Sequence, residues 1–300
     1  MIFAINFADK NYSMAQKLNS WSAKNVGKVD RVIEYSPTSI DFDFFEKNHE
    51  ILAKPRGGGY WLWKPYIIKK TLFEIKENDF LVYCDSGAMY VKSILPLIAQ
   101  MEKENTNIYC CATPFFEENW CKQSVLNDFL NKYDHSDIDF QIEATFMILK
   151  NTFQTHELID SWLSMCCIPT NILDDEEYFK PCIEHRHDQA LFSLVCKTQG
   201  ILPHIGVSDR YLYHRIISAK DKYYRQSDVI STKSIALEYN NRFRNNGAPL
   251  YLIVHHLKNQ NNFRFKVLKY YFKSVLAWIK GELYFHRDKR KRCENEYYNI

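Results

Sequence analysis

The chain has 300 residues, 25% of them charged and 46% hydrophobic, with a formal net charge of +3. That length suits one large domain or two small ones with ample core, and so small a net charge gives no argument for nucleic acid as a partner. No run of about 18 uncharged apolar residues occurs, so no transmembrane helix is expected, and residues 1–8 are too short and lack the basic start of a secretory leader. The cysteines, nine in all, form no CxxC. Cys84, Cys110, Cys111 and Cys196 sit in apolar runs, a usage that suits reduced thiols of a cytoplasmic protein better than a disulfide framework or a zinc site.

In chain order, Ile2–Phe7 is an apolar run that predicts a buried strand. Ser13–Ala23 predicts a helix, with Ser13 as N-cap and Met14, Leu18 and Trp21 on its inner face. Asp30–Tyr35 predicts a second strand, so a parallel sheet with a right-handed crossover is expected. A short helix around Asp41–Ile51 leads to the stretch Arg56–Gly87, around which the chain is organised. It opens with Gly57, Gly58 and Gly59, continues through Tyr60, Trp61, Trp63, Lys64 and Tyr66, and predicts a helix over Ile67–Ile75. A strand over Phe80–Tyr83 ends in Cys84-Asp85-Ser86-Gly87.

Beyond it, Ser93–Glu104 predicts a helix with Ile94, Leu97, Ile98 and Met101 on one face. Ile108–Ala112 predicts a strand, Pro114–Trp120 an aromatic, acidic loop, Lys122–Lys132 a helix and Asp134–Asp139 a polar loop. Ala144–Lys150 predicts a strand, and Thr152–Cys167 a helix with Phe153, His156, Ile159, Trp162 and Leu163 on one face. Pro169–Cys182 is acidic and irregular. His185–Thr198 predicts a helix with Gly200 just past its end, and Ile201–Val207 a terminal strand. Residues 208–250 are polar and loop-rich.

Two features carry the chemistry. Glycines let a backbone pass close to a ligand, and an acid at the C-terminal end of a strand in an open α/β sheet lies where such sheets bind ligands. The triple glycine is neither a P-loop nor a dinucleotide fingerprint, because no GK[ST] follows and no strand precedes it. Asp85 is a ligand or phosphate-side acid, or else a cap after the strand. Arg56 and Lys64 are placed to neutralise phosphate charge. Trp61 and Trp63 are a stacking platform or core. The densest polar cluster is His185, Arg186, His187, Asp188 and Gln189. Asp188 there is either a helix N-cap or, with Gln189, the side facing a sugar, with a histidine as acid/base. A His-x-His zinc site lacks third and fourth ligands at a telling spacing.

Three stretches, RGGGYWLWKPYII at 56–68, LVYCDSG at 81–87 and EHRHDQALFSLV at 184–195, resemble bacterial GT-A-type glycosyltransferases of surface-polysaccharide loci. LVYCDSG is similar to a shortened Asp-x-Asp motif, with Gly87 in place of the further acid. The resemblance implies an α/β, GT-A-like domain over 1–250 with a mostly parallel central sheet flanked by helices, followed by a basic helical segment over 251–300. It implies transfer of a sugar from a nucleotide-diphosphate donor to a hydroxyl of an O-antigen or capsule intermediate, a glycan or lipid-linked glycan acceptor. Donor-binding residues would be Phe7, Arg56, Gly58, Gly59, Trp63, Lys64, Asp85, Ser86, Gly87, His214 and Arg215. His214 and Arg215 would close over the diphosphate. Asp188, Gln189, His187 and Glu143 would be catalytic, with Glu143, near Gln141, the acceptor base of an inverting enzyme. A divalent cation, Mn2+ or Mg2+, would rest on Asp85.

From His255 onward, eleven basic residues from Lys258 to Arg292 interleave with Phe263, Phe265, Tyr270, Tyr271, Phe272 and Trp278. Such a segment suits the anionic inner face of a membrane, to which the protein would bind peripherally, or a helix packed on the domain with a solvated basic face. The rival to an enzyme is a non-catalytic, membrane-associated glycan- or nucleotide-binding protein. A nucleotidyltransferase is disfavoured, because no basic glycine loop follows the first strand.

Overall fold

The computed structural model describes residues 1–132, 140–174, 181–208, 239, 241–242, 253–254, 272, 275–276, 279 and 283–290. Its centre is a five-stranded sheet of β1 (Ile2–Phe7), β2 (Arg31–Tyr35), β3 (Phe80–Cys84), β5 (Ile108–Tyr109) and β8 (Phe146–Lys150), in the order β2-β1-β3-β8-β5. β1 lies parallel between β2 and β3, and β8 runs antiparallel to both β3 and β5. Two short antiparallel pairs flank it: β4 (Met89–Tyr90) with β9 (Ile253–Val254), and β6 (Ala112–Phe116) with β7 (Phe140–Ile142). The fold is thus mixed α/β, with a central, mostly parallel sheet flanked by helices.

Side chains alternate across a strand, and both faces of this sheet are covered. Ile5, Leu81, Tyr83, Met147 and Leu149 face one core layer. There α2 (Trp63–Glu74), α5 (Phe153–Cys166) and α6 (His187–Thr198) pack together. Ala4, Val82, Cys84, Phe146 and Ile148 face the other, with Leu97, Ile98 and Met101 of α3 (Leu95–Glu104). Burial on both faces explains why these strands read as unbroken apolar runs. The described cysteines are all free, and all but Cys167 are buried.

Most predicted elements occur within a residue or two of the expected ends, and the departures have identifiable causes. α1 (Ser13–Ser22) starts with Tyr12 at the N-cap position, not Ser13. It buries Ala15, Gln16, Asn19 and Ser22 rather than the expected face, leaving Met14 and Trp21 exposed. In α5, whose N-cap Thr152 accepts from the Thr155 N–H, Phe153 is exposed while Ile159, Trp162 and Leu163 are buried. α2 begins four residues before the predicted helix, at Trp63. The expected strand Ile108–Ala112 is broken after Tyr109, and Pro114–Trp120 is not a loop but the end of β6 and a helical turn, Glu117–Trp120. Helix α4 (Gln123–Lys132) follows.

Ile201–Val207 forms no strand. It touches the sheet through one bridge, His204 to Cys111. Gly200, at φ +65°, ends α6 as expected: its N–H bonds Lys197 O (3.1 Å) and that of Ile201 bonds Cys196 O (3.0 Å), closing a Schellman motif. β9, which falls after residue 250, pairs with β4. Asp134–Asp139, His214, Arg215 and most of 208–250 and 255–300 lie outside the described residues.

Candidate active site

β1 and β3 end side by side, and a polar lattice ties the loops that follow them. Asn6, fully buried, donates to Asn19 Oδ1 (2.8 Å) and accepts from Gln16 Nε2 (3.0 Å). Asn19 Nδ2 donates in turn to Asp85 O (3.2 Å) and Ala88 O (2.9 Å), and Ser86 Oγ donates to Phe7 O (2.6 Å). This is why α1 buries amides instead of its apolar side chains: each amide is satisfied, so burial costs little, and the Asp85–Ala88 turn gains a fixed position. Against this edge opens a cleft of about 520 Å³, lined by Phe7, Asp9, Tyr12, Trp61, Trp63 and Asp85 among others.

The glycine stretch forms another wall. Gly57, Gly58 and Gly59 have φ of +59°, +61° and +95°, and Tyr60 and Trp61 follow at +50° and +60°. A Cβ at Gly57 would stand 2.5 Å from the Trp61 ring, and one at Gly59 would stand 2.7 Å from Leu52 Cα. Only glycine fits both the left-handed backbone and those approaches. Trp63 Nε1 donates to Gly57 O (2.9 Å), and the indole stacks on Phe7 with centroids 3.9 Å apart at 12°. Trp63 is therefore the buried backing of the cleft rather than a free platform. Trp61 stacks on His187 at 5.6 Å.

Lys64, in the first turn of α2, is buried under the cleft. Its Nζ lies 2.7 Å from Asp188 Oδ2 and 3.7 Å from Asp85 Oδ1, and Asp85 Oδ1 also accepts from Tyr83 OH at 2.6 Å. Lys64 is thus not a surface phosphate ligand but a clamp between the two predicted acids. With two carboxylates beside it, its pKa is raised despite burial, which acts the other way. Asp188 is fully enclosed. Burial pushes it up to about 6, Lys64 pulls it back only in part, and Asp85 adds to the rise. Arg186, not Asp188, stands at the N-cap position of α6.

The other candidates fall on both sides of the site. Arg56 is ion-paired with Asp174 (3.0 Å) and with Glu184, so it braces the glycine stretch against the loop before α6 instead of meeting the cleft. His185 accepts from Lys122 N–H (3.2 Å) and donates to Asn171 O (2.8 Å), and burial lowers its pKa to about 3. His187, at φ +46°, donates to Ile172 O (2.9 Å), and burial lowers it to about 4. Burial disfavours the imidazolium form of both, so both are neutral near pH 7, and neither lines the cleft. Glu143 is fully buried, bonded through its N–H to Cys111 O (2.8 Å), and does not line the cleft. Gln189 is partly exposed beside Asp188, and its Nε2 donates to Gln141 Oε1 (3.0 Å).

Asp9 and Tyr12 line the cleft, and sequence reasoning does not single them out. The only signal is their place in the loop directly after the first strand. Among the described residues, the charged ones lining the cleft are Asp9 and Asp85, both acidic. Among the described residues no group of three His, Cys, Asp or Glu gathers to hold a metal ion. One carboxylate together with substrate phosphate oxygens is nevertheless a donor set that suits Mg2+, and Asp85 fits it.

No family model matches the chain, and no curated protein matches it. Among solved structures it is similar to mouse xyloside xylosyltransferase 1 in its apo form, at TM-score 0.46 and 10% identity over 87% of this chain and 98% of that one. It is similar to the galactosyltransferase LgtC in complex with donor and acceptor sugar analogues, at 0.45 and 12% over 91% and 95%. It is also similar to the bifunctional glycosyltransferase WbbM, at 0.43 and 9% over 85% of this chain and 45% of that one. At such identities and scores, likeness decides nothing about activity.

Proposed function

We propose that the chain is a glycosyltransferase that moves a sugar from a nucleotide-diphosphate donor to a hydroxyl of a glycan or lipid-linked glycan, as in the assembly of an O-antigen or capsule. The observation that carries this is the Asp85–Lys64–Asp188 clamp, whose Asp85 lines an aromatic-walled cleft while Lys64 and Asp188 lie buried behind it. An aromatic wall suits a nucleobase or sugar. The clamp holds one net negative charge, with Asp85 toward the cleft and Asp188 beside Gln189, where the donor's diphosphate and its sugar would lie.

In this reading Lys64 holds both carboxylates at a fixed separation, so that neither reorganises during transfer. Ser86 and the glycine stretch set the backbone against the donor. A divalent cation would be held by Asp85 from the protein side, and it would supply the positive charge that the described cleft lining lacks for a diphosphate. Among the described residues no helix is long and apolar enough to cross a membrane. Phe272, Leu276, Ile279 and Leu283, helical and 59%, 62%, 44% and 67% exposed, follow i, i+4, i+7 and i+11 spacing. With the basic residues around them they support peripheral attachment to the anionic inner face of a membrane.

A thermal-shift screen with UDP-, GDP- and TDP-sugars, with and without Mn2+, tests the donor assignment, because a ligand bound to the folded state raises the melting temperature by mass action. At least one nucleotide sugar is expected to stabilise the wild type. A flat response to all of them, with and without metal, counts against a donor site.

A further inference from the structure

Behind Gln189 stands a chain of groups that fixes how its carboxamide is turned. Glu117, fully buried in the turn Glu117–Trp120, accepts at both oxygens. Oε2 takes Ser193 Oγ–H (2.6 Å) and the Lys197 ammonium (2.6 Å), and Oε1 takes Gln141 Nε2 (3.0 Å). Gln141, fully buried on β7, gives its second amide hydrogen to Trp120 O (3.1 Å). Its own oxygen receives Gln189 Nε2 at 3.0 Å.

The direction of this relay follows from charge. A carboxylate paired with a lysine has no hydrogen to give, so Gln141 must turn its NH2 toward Glu117. Its oxygen then faces Gln189, which must answer with its own NH2. The Gln189 carbonyl is left pointing away from the relay, at the partly exposed position beside Asp188. Trp120 O, which can only accept, holds the Gln141 NH2 in the same sense, so Glu117 and the Trp120 carbonyl fix the amide together.

We propose that Glu117 is a positioning residue. Through Gln141 it sets the Gln189 carboxamide so that an acceptor oxygen, not an NH2, is presented to a hydroxyl-bearing sugar at the site. The presence of a sugar there rests on the transferase assignment, while the relay itself does not.

The test is a double-mutant cycle with Glu117→Gln and Gln189→Glu, read by melting temperature and by release of nucleoside diphosphate from the nucleotide sugar that stabilises the wild type best. Gln189→Glu alone sets a carboxylate against the Gln141 oxygen, and it is expected to lower both the melting temperature and kcat. In the Glu117→Gln background only Trp120 O still holds the Gln141 NH2, so Gln141 turns round at lower cost and donates to Glu at 189. The double variant is therefore expected to recover at least about 2 °C over the sum of the single losses. Glu117→Gln alone is expected to lower kcat about tenfold with KM little changed, because one oriented hydrogen bond is at stake. Strictly additive melting losses would overturn the relay. Coupled melting losses with unchanged kcat in Glu117→Gln would overturn its action on the sugar. If the wild type cleaves no nucleotide sugar, the transferase assignment fails, and the melting cycle alone upholds or overturns the relay. Should Glu117→Gln not fold because Lys197 loses its counter-charge, Glu117→Gln/Lys197→Gln removes both charges and keeps an amide at 117 for the same cycle.

Discussion

Lys64 Nζ and Asp188 Oδ2 lie 2.7 Å apart, and both side chains are buried. A charge taken out of water is tolerated only when it is paired. The pair joins the first turn of α2 to the first turn of α6, and through Asp85 it reaches the end of β3.

Lys64→Met leaves Asp188 buried with no cation and with Asp85 nearby. Removing one partner of a buried pair costs about 3–5 kcal/mol, so the variant should unfold at markedly lower urea. Lys64→Met/Asp188→Asn, which leaves no charge stranded, should be closer to the wild type than Lys64→Met alone. Equal denaturation midpoints for wild type and Lys64→Met would mean that the clamp does not hold in solution.

Asp188 gives the protein a pH signature. An unfolded aspartate titrates near ~3.9, whereas folded Asp188 keeps its proton up to about 6 because burial opposes the charge. Between those values the folded state binds the extra proton. The contribution of this group to stability is therefore full below the lower value and is lost as pH rises through the upper one. Unfolding free energies measured from pH 4 to 7 should show this slope in the wild type and not in Asp188→Asn. If the ionised form is the active one, donor cleavage should fall as pH drops through 6.

The glycines should differ in a fixed order. Gly59→Ala meets both a left-handed backbone and Leu52 Cα, whereas at Gly58 the nearest atom to an added Cβ is Trp63 Nε1 at 3.7 Å. Gly58→Ala should cost about 1–2 kcal/mol for its φ alone, and Gly59→Ala clearly more. Melting temperatures in the reverse order would contradict the described turn.

The exposed apolar residues Leu276 and Leu283 should matter for membranes and not for folding. Leu276→Ser/Leu283→Ser should keep the wild-type melting temperature and reduce co-sedimentation with phosphatidylserine vesicles. Undiminished sedimentation would remove these residues from any membrane contact.

The middle of the sheet is legible in the sequence because β3 and β8 are buried on both faces and read as nearly unbroken apolar runs. Ile2–Phe7 has the ends expected of it, and Phe80–Cys84 runs one residue further than expected. α1 departs from its expected face for the opposite reason. Its buried face is Gln16, Asn19 and Ser22, whose burial rests on hydrogen bonds to Asn6, Tyr35 O, the Asp85–Ala88 backbone and, for Ser22, the Tyr90 N–H, and hydropathy does not see those bonds. Asp85, Asp188 and Lys64 each stand out in the sequence. Their union does not, because it depends on α2 and α6 meeting beneath β3. Arg56 shows the same limit: a cation beside glycines suggests phosphate, but Asp174 and Glu184, far along the chain, claim it instead. The pairing of Glu117 with Lys197 across the fold leaves no mark in either stretch.

The most direct measurement is release of nucleoside diphosphate from the nucleotide sugar that stabilises the protein best, compared between wild type and Asp188→Asn. The clamp predicts release by the wild type and a rate at least about a hundredfold lower in Asp188→Asn, with the variant still folded. Equal rates in the two proteins would contradict the assignment of Asp188, and with it the site.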